Sequence, residues 1–271
     1  VNDLYDLVRY EFYGYDESRP MDFLFGTDLV YDGEPGTIQR HGNMTGAYHP
    51  TSIIPTVHWD NLYKLIAGAN VILDRVEDKD FADDVKLMFK AKASFFRGFA
   101  YRTLAYLYGG VPLVLEEITT PKTDFVRATK EQTLAQAISD VKFAAENLKD
   151  ITGVKDGEVS SAASYHLLSE LYLAAGQYQD AVNAATKVID NPALALMKNR
   201  FGSRATETPG DVYWDLFRVN NQNRAGGNTE GIWVIQYETD LPGGGSSTVT
   251  AKTTGNYCWE RNFAPMVRDV K

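Results

Sequence analysis

Two stretches of this sequence collect side chains able to hold a polyhydroxylated ligand. The first supplies Asp28, Tyr31, Arg40, His41, Asn43 and Tyr48, and the second supplies Tyr257, Trp259 and Arg261. Aromatic faces stack on the apolar side of a sugar ring, while carboxylate, amide and guanidinium groups hydrogen-bond its adjacent hydroxyls. These types suit a glycan. Each also has a plainer reading as an ordinary loop anchor.

Other chemistry finds little support. The pairs Glu116-Glu117 and Asp83-Asp84 are neighbours only in sequence, whereas a glycosidase needs two carboxylates facing each other across a cleft. No Gly-x-Ser-x-Gly elbow, His-Glu-x-x-His or Walker phosphate loop occurs, and Gly243 to Gly245 lacks the strand and helix of a dinucleotide fingerprint. Asp78, Asp80, Asp83 and Asp84 lack the glycine and closing glutamate of a calcium loop, and read instead as the acidic first turn of the next helix. The histidines at 41, 49, 58 and 166 form no helical pair, and the single Cys258 excludes an internal disulfide. No metal, cofactor or catalytic residue is expected.

With 27 basic against 36 acidic residues the net charge is -9, without a Lys/Arg-rich run. That is not the electrostatic footprint of a nucleic-acid binder. No stretch has the apolar length to cross a bilayer, and Val1 opens without an initiator methionine, as in a processed or trimmed chain.

The elements that must position the candidate residues are helices. Residues 2 to 13 carry Leu4, Leu7, Val8 and Phe12 on one face. Residues 15 to 58 show no sustained period and are rich in Gly and Pro, a long irregular excursion of a kind that is uncommon unless it does something. From Trp59, apolar residues recur every three or four positions through Tyr63, Ile66, Leu73 and Val76. A longer helix runs from about Phe81 to Tyr108, where Gly109-Gly110 stops it and Val111 to Val114 leave in extended form. Thr129 with Gln132 makes a capping box for a helix to about Leu148, with Leu134, Ile138, Val141 and Ala145 on its core face.

Residues 160 to 190 have the punctuation of a tetratricopeptide helix pair. Leu167, Leu168, Leu171 and Tyr172 face inward, Gly176 permits the reversal, Tyr178 packs over the turn, and Ala181, Ala185, Val188 and Ile189 face the first helix. After Pro192 helical periodicity is lost, and Ile232 to Tyr237 read as a buried strand. The expected architecture is mostly α, with tetratricopeptide-like repeats, long irregular loops and a few short strands. Residues 1–192 form a helical scaffold with the excursion 15–58. Residues 193–271 form a loop-rich segment, the start of an incomplete carboxy-terminal region.

Several phrases in order resemble the SusD/RagB family of Bacteroidetes nutrient-binding lipoproteins. They are Trp59-xxx-Tyr63-xx-Ile66-xx-Ala69-Asn70, then Ala93-xx-Phe96-Arg97-Gly98-Phe99-Ala100-Tyr101, then Tyr108-Gly109-Gly110-Val111-Pro112-Leu113-Val114. Arg127-Ala128-Thr129, Gly157-Glu158-Val159-Ser160, the repeat at Leu171 to Ala181 and Glu230 to Gln236 follow. The resemblance implies a non-enzymatic protein that captures a glycan or oligosaccharide at the outer surface of the outer membrane, lipid-anchored in its full-length form. It also implies delivery to a SusC-like TonB-dependent transporter. Two rival readings stay open from the residues alone: a tetratricopeptide adaptor that binds a protein segment, and a glycoside hydrolase with its carboxylates in the loops.

Overall fold

The computed structural model describes residues 1–13 and 49–236. Among them the chain is helical: α1 (Asn2–Tyr13), α2 (Ile53–Arg75), α3 (Asp83–Tyr108), α4 (Lys130–Asn147), α5 (Ser161–Ala174), α6 (Tyr178–Ile189) and the short α7 (Val212–Leu216). Two compact units result, one of Ile66–Gln236 with Val1, the other taking in described residues 2–13 and 49–65, so that the division falls inside α2. No helix among the described residues is long and apolar enough to cross a membrane.

In the unit of 66–236, α3 packs on α4, α4 on α5 and α5 on α6, with a lighter contact between α3 and α5. Each helix meeting its chain neighbours is the packing of a helical-repeat stack. The buried layer runs from Phe95, Phe96, Tyr101 and Leu104 through Leu134, Ala137 and Val141 to Leu167 and Leu171. Each fully buried large side chain of this kind stabilises by about 1.5–3 kcal/mol. At Gly98 α3 and α4 approach closely, since a Cβ there would stand 2.5 Å from Val141 Cγ2 and 3.0 Å from the Ala137 carbonyl.

Local signals fix the helix ends. Thr129 Oγ1 accepts from Gln132 N at 3.2 Å while Gln132 Oε1 accepts from Thr129 N at 2.9 Å, a complete capping box. Ser160 caps α5 through Ala163 N. Asp83 and Asp84 occupy the first turn of α3, where the helix dipole favours them. Gly176, at φ 75°, makes the reversal between α5 and α6 that a residue with a Cβ resists.

Three expectations need correction. α2 begins at Ile53 rather than Trp59, because Pro55 falls in its first turn, where a missing N–H costs nothing. In α6 the buried residues are Ala181, Ala184 and Val188, while Tyr178 and Ile189 are exposed. The turn at Gly176 sets the register so that 178, 182, 185 and 189 share the opposite stripe, and Tyr178 cannot cover the turn. Finally, residues 232–236 form no strand, and the described residues hold only one isolated antiparallel bridge, Pro112 with Arg127. Among the described residues no neighbouring edge meets this segment. Side chains anchor it instead: Trp233 Nε1 donates to the Gly157 carbonyl at 3.0 Å, and the Gln236 and Asn223 amides pair reciprocally at 2.8 and 2.9 Å.

Candidate functional site

All nine residues singled out for glycan contact, Asp28, Tyr31, Arg40, His41, Asn43, Tyr48, Tyr257, Trp259 and Arg261, lie outside the described residues. What the structure shows is how the chain is held where those stretches begin and end. On α1, Leu4 and Val8 are buried and so is Glu11. The Glu11 carboxylate is hydrogen-bonded to His58 Nδ1 at 2.5 Å and accepts from Asn61 Nδ2 at 3.0 Å, both on α2 and both buried. This polar clamp ties together the two helices that flank the first excursion. The departure point of the second stretch is tied just as firmly. The Trp233 indole meets the rings of Phe95, Phe96 and Phe99 edge to face, with centroids 5.5, 6.2 and 6.0 Å away.

Between them, α2, α3 and α4 build a polar network around the extended segment after Gly110. Asn70, fully buried on α2, donates through Nδ2 to the carbonyls of Val114 and Glu116 at 2.9 and 3.0 Å. From α3, Arg97 grips Asp140 of α4 with two hydrogen bonds of 2.8 and 2.7 Å and uses its third nitrogen on Asn70 Oδ1 and the Leu115 carbonyl. The Tyr101 hydroxyl donates to the Val114 carbonyl at 2.9 Å and accepts from Val114 N at 2.7 Å. Burial pushes the Tyr101 phenol up to about 12, against the smaller opposing effect of its bond to Val114. Side chains thus do for this segment what a second strand does in a sheet.

Arg127 completes the arrangement by donating to the carbonyls of Gly110 and Tyr108 at 2.6 and 2.8 Å, a cation at the end of α3. A shallow, open depression of about 520 Å³ lies over this region, lined by Leu113, Val126, Arg127 and Gln136. The guanidinium in it is already committed to backbone carbonyls.

Further along, Arg200 organises the turn before α7. It donates to Asp215 at 2.6 and 3.0 Å and to the carbonyls of Arg204, Glu207 and Gly210 at 2.8 to 3.0 Å. That guanidinium holds the buried Asp215 carboxyl below the usual carboxylate range. Two cations lie over the Trp214 ring, Arg200 and Arg218, 5.5 and 4.3 Å from its centroid.

Of the carboxylates weighed as catalytic pairs, Asp84 accepts from Val85 N at the start of α3 and Glu117 is held by an ion pair. Glu117 takes a bidentate ion pair from Arg75, and its backbone N donates to Asp74. Among the described residues, no cluster of His, Cys, Asp and Glu could hold a metal. Sequence reasoning missed Glu11, Asp140 and Asp215, yet two of them carry a signal. Glu11 continues the apolar spacing of Leu4 and Val8, and Asp140 stands between Ala137 and Val141 on the core face of α4. A charge at a core register predicts a buried partner.

Comparison with known proteins bears on what this frame serves. Residues 35–173 match the SusD-like family model described as "Starch-binding associating with outer membrane". SusD-like protein P25 of Formosa agariphila is 25% identical over 268 residues, covering 90% of this chain and 48% of its own length. Among solved structures, a laminarin-binding SusD-like protein is 25% identical with a TM-score of 0.61, over 73% of this chain and 45% of that one. A SusD-like carbohydrate-binding protein of Bacteroides fragilis has the same fold, with a TM-score of 0.72 at 18% identity over 90% of this chain and 46% of that one. The chain spans about half the length of the relatives it matches, or somewhat less.

Proposed function

Because the chain belongs to the SusD-like family, described as starch-binding and associating with the outer membrane, we propose that it is the scaffold-bearing part of a surface protein that captures a glycan without chemistry. The observation that carries this reading is the match over residues 35–173, in which the phrases around Asn70, Arg97, Tyr101 and Arg127 meet around one extended segment. That network leaves the helices rigid and frees the intervening stretches to differ, which is how a binding protein changes ligand on a fixed frame. In this reading residues 193–271 open the ligand-binding region, and the aromatic and polar residues of the two irregular stretches make the contacts. A SusC-like TonB-dependent transporter is the recipient, and the outer surface of the outer membrane is the place of work, by lipid anchoring of the full-length protein.

Affinity electrophoresis against starch, laminarin and xyloglucan tests the binding step. Retardation by at least one of them is expected. Trp259→Ala is expected to weaken that binding at least tenfold, about 1.4 kcal/mol, with an unchanged melting temperature. Pull-down from detergent-solubilised outer membranes should recover a large β-barrel transporter. Reducing-sugar release above the blank, abolished by one carboxylate substitution, would replace this reading with a hydrolase.

A further inference from the structure

We propose that Tyr213 and Phe217 form a stacking platform for a pyranose ring, an inference that rests on the glycan-binding reading above. The two residues are four apart on α7 and therefore share a face. Their rings meet at 65° with centroids 5.0 Å apart, yet 71% of Tyr213 and 63% of Phe217 is exposed. Two large rings in mutual contact and open to solvent contribute little to folding, and exposed apolar patches of this kind mark binding sites.

The backbone beneath them is held far more firmly than five residues of helix could hold themselves. Asp211 Oδ1 accepts from Trp214 N at 2.7 Å at the start of the helix. Asp215, on the inner side, is fully buried and accepts from Arg200 and from Phe201 N. Asn221 closes the far end by donating to the Asp215 carbonyl at 2.9 Å. The structure therefore spends a buried ion pair, and a tryptophan with two guanidiniums over its ring, on fixing a helix whose outward rings are exposed among the described residues.

The shape favours a sugar. In this edge-to-face pair each ring braces the other, and the solvent-open ring surface is what the flat apolar side of a chair-form sugar stacks on. Such rings have only two side-chain torsions each, so they lose little freedom on binding. Exposed Asp211 and Asn220 flank the segment on either side. A pair of rings is also far smaller than the roughly 800 Å² per partner of a stable protein interface.

The test uses the 271-residue chain, with affinity electrophoresis in starch, laminarin and xyloglucan gels. Tyr213→Ala/Phe217→Ala should bind the retarding glycan at least tenfold more weakly while keeping the wild-type melting temperature. The swap Tyr213→Phe/Phe217→Tyr, which preserves both rings, should bind within about twofold of wild type. Unchanged retardation of the double alanine variant, with wild type retarded, overturns the platform and leaves the glycan reading intact. If wild type is retarded by none of the gels, the glycan reading falls and the platform with it. Loss of a membrane-protein partner from the double alanine variant with glycan retardation unchanged would also overturn the platform, in favour of a protein contact.

Discussion

Arg97 Nη1 donates to Asn70 Oδ1 at 2.9 Å, and this one bond decides which way the Asn70 amide faces. With its oxygen taken by the guanidinium, the nitrogen must point at the segment after Gly110, where it meets the carbonyls of Val114 and Glu116. Arg97→Ala would leave the Asp140 carboxylate, 6% exposed, without its cation. The expected cost is about 3–5 kcal/mol in urea denaturation, the range for breaking a buried pair. Arg97→Lys should recover only part of it, because an ammonium cannot hold Asp140 by two bonds while reaching Asn70 and Leu115. Equal stability of the lysine variant and wild type would show that only the charge matters.

Alkaline pH offers a second probe. The Tyr101 phenol holds its proton up to about 12 in the folded protein, against an ordinary value of 10.0. Between those values the native state binds a proton that the unfolded chain has released, so stability falls as pH rises. The stabilisation is complete below pH 10 and declines by about 2–3 kcal/mol on the way to pH 12. In Tyr101→Phe this contribution should vanish from the pH profile, at a fixed cost of about 1–3 kcal/mol from the Val114 N–H left without its acceptor, while the Val114 carbonyl keeps its bond from Asn70.

The contact at Gly98 should tolerate no methyl. Gly98→Ala places a Cβ against Val141, a β-branched side chain with little freedom to move, and against the Ala137 carbonyl. A loss of about 1–3 kcal/mol is expected by thermal unfolding. Adding Val141→Ala should return less than the whole, since the carbonyl contact remains.

Ala181 is one of the buried residues of α6, 8% exposed. Ala181→Leu should overpack its contact with α5 and lower stability by about 1–3 kcal/mol. Val182→Leu, one residue along and 56% exposed, should leave the melting temperature within experimental error.

The helices were legible because their signals are local. The capping box at Thr129 and Gln132, the acidic start at Asp83 and the reversal at Gly176 each depend on a few neighbouring residues, and periodicity marked the rest. Register was less legible. In α6 both stripes are apolar, so spacing alone could not tell Ala184 from Ala185 or say that Tyr178 faces outward. The reading of residues 232–236 failed for another reason: a β-rich composition states a preference, while a strand exists only where a second edge is present. Asn70 reads from the sequence as an inward amide that satisfies a backbone group, and it does so at Val114 and Glu116, whereas the link of Asn70, Arg97 and Asp140 across separations of 27 and 43 positions was hidden. Glu11 could have been suspected from its place in an apolar stripe, but its partners could not be named.

The segment Val114 to Glu116 is gripped by its main chain, through bonds that any residue other than proline at 114 would offer equally. Its side chains are therefore left out of the agreement. Leu115 is 41% exposed, and exchanging it for another residue of similar character takes nothing away from the helices. Inheritance of the frame and invention at its surface are in this way separated at the level of single atoms. Descendants of one ancestor can rewrite the outward text of this stretch many times while the helices beneath it stay unedited.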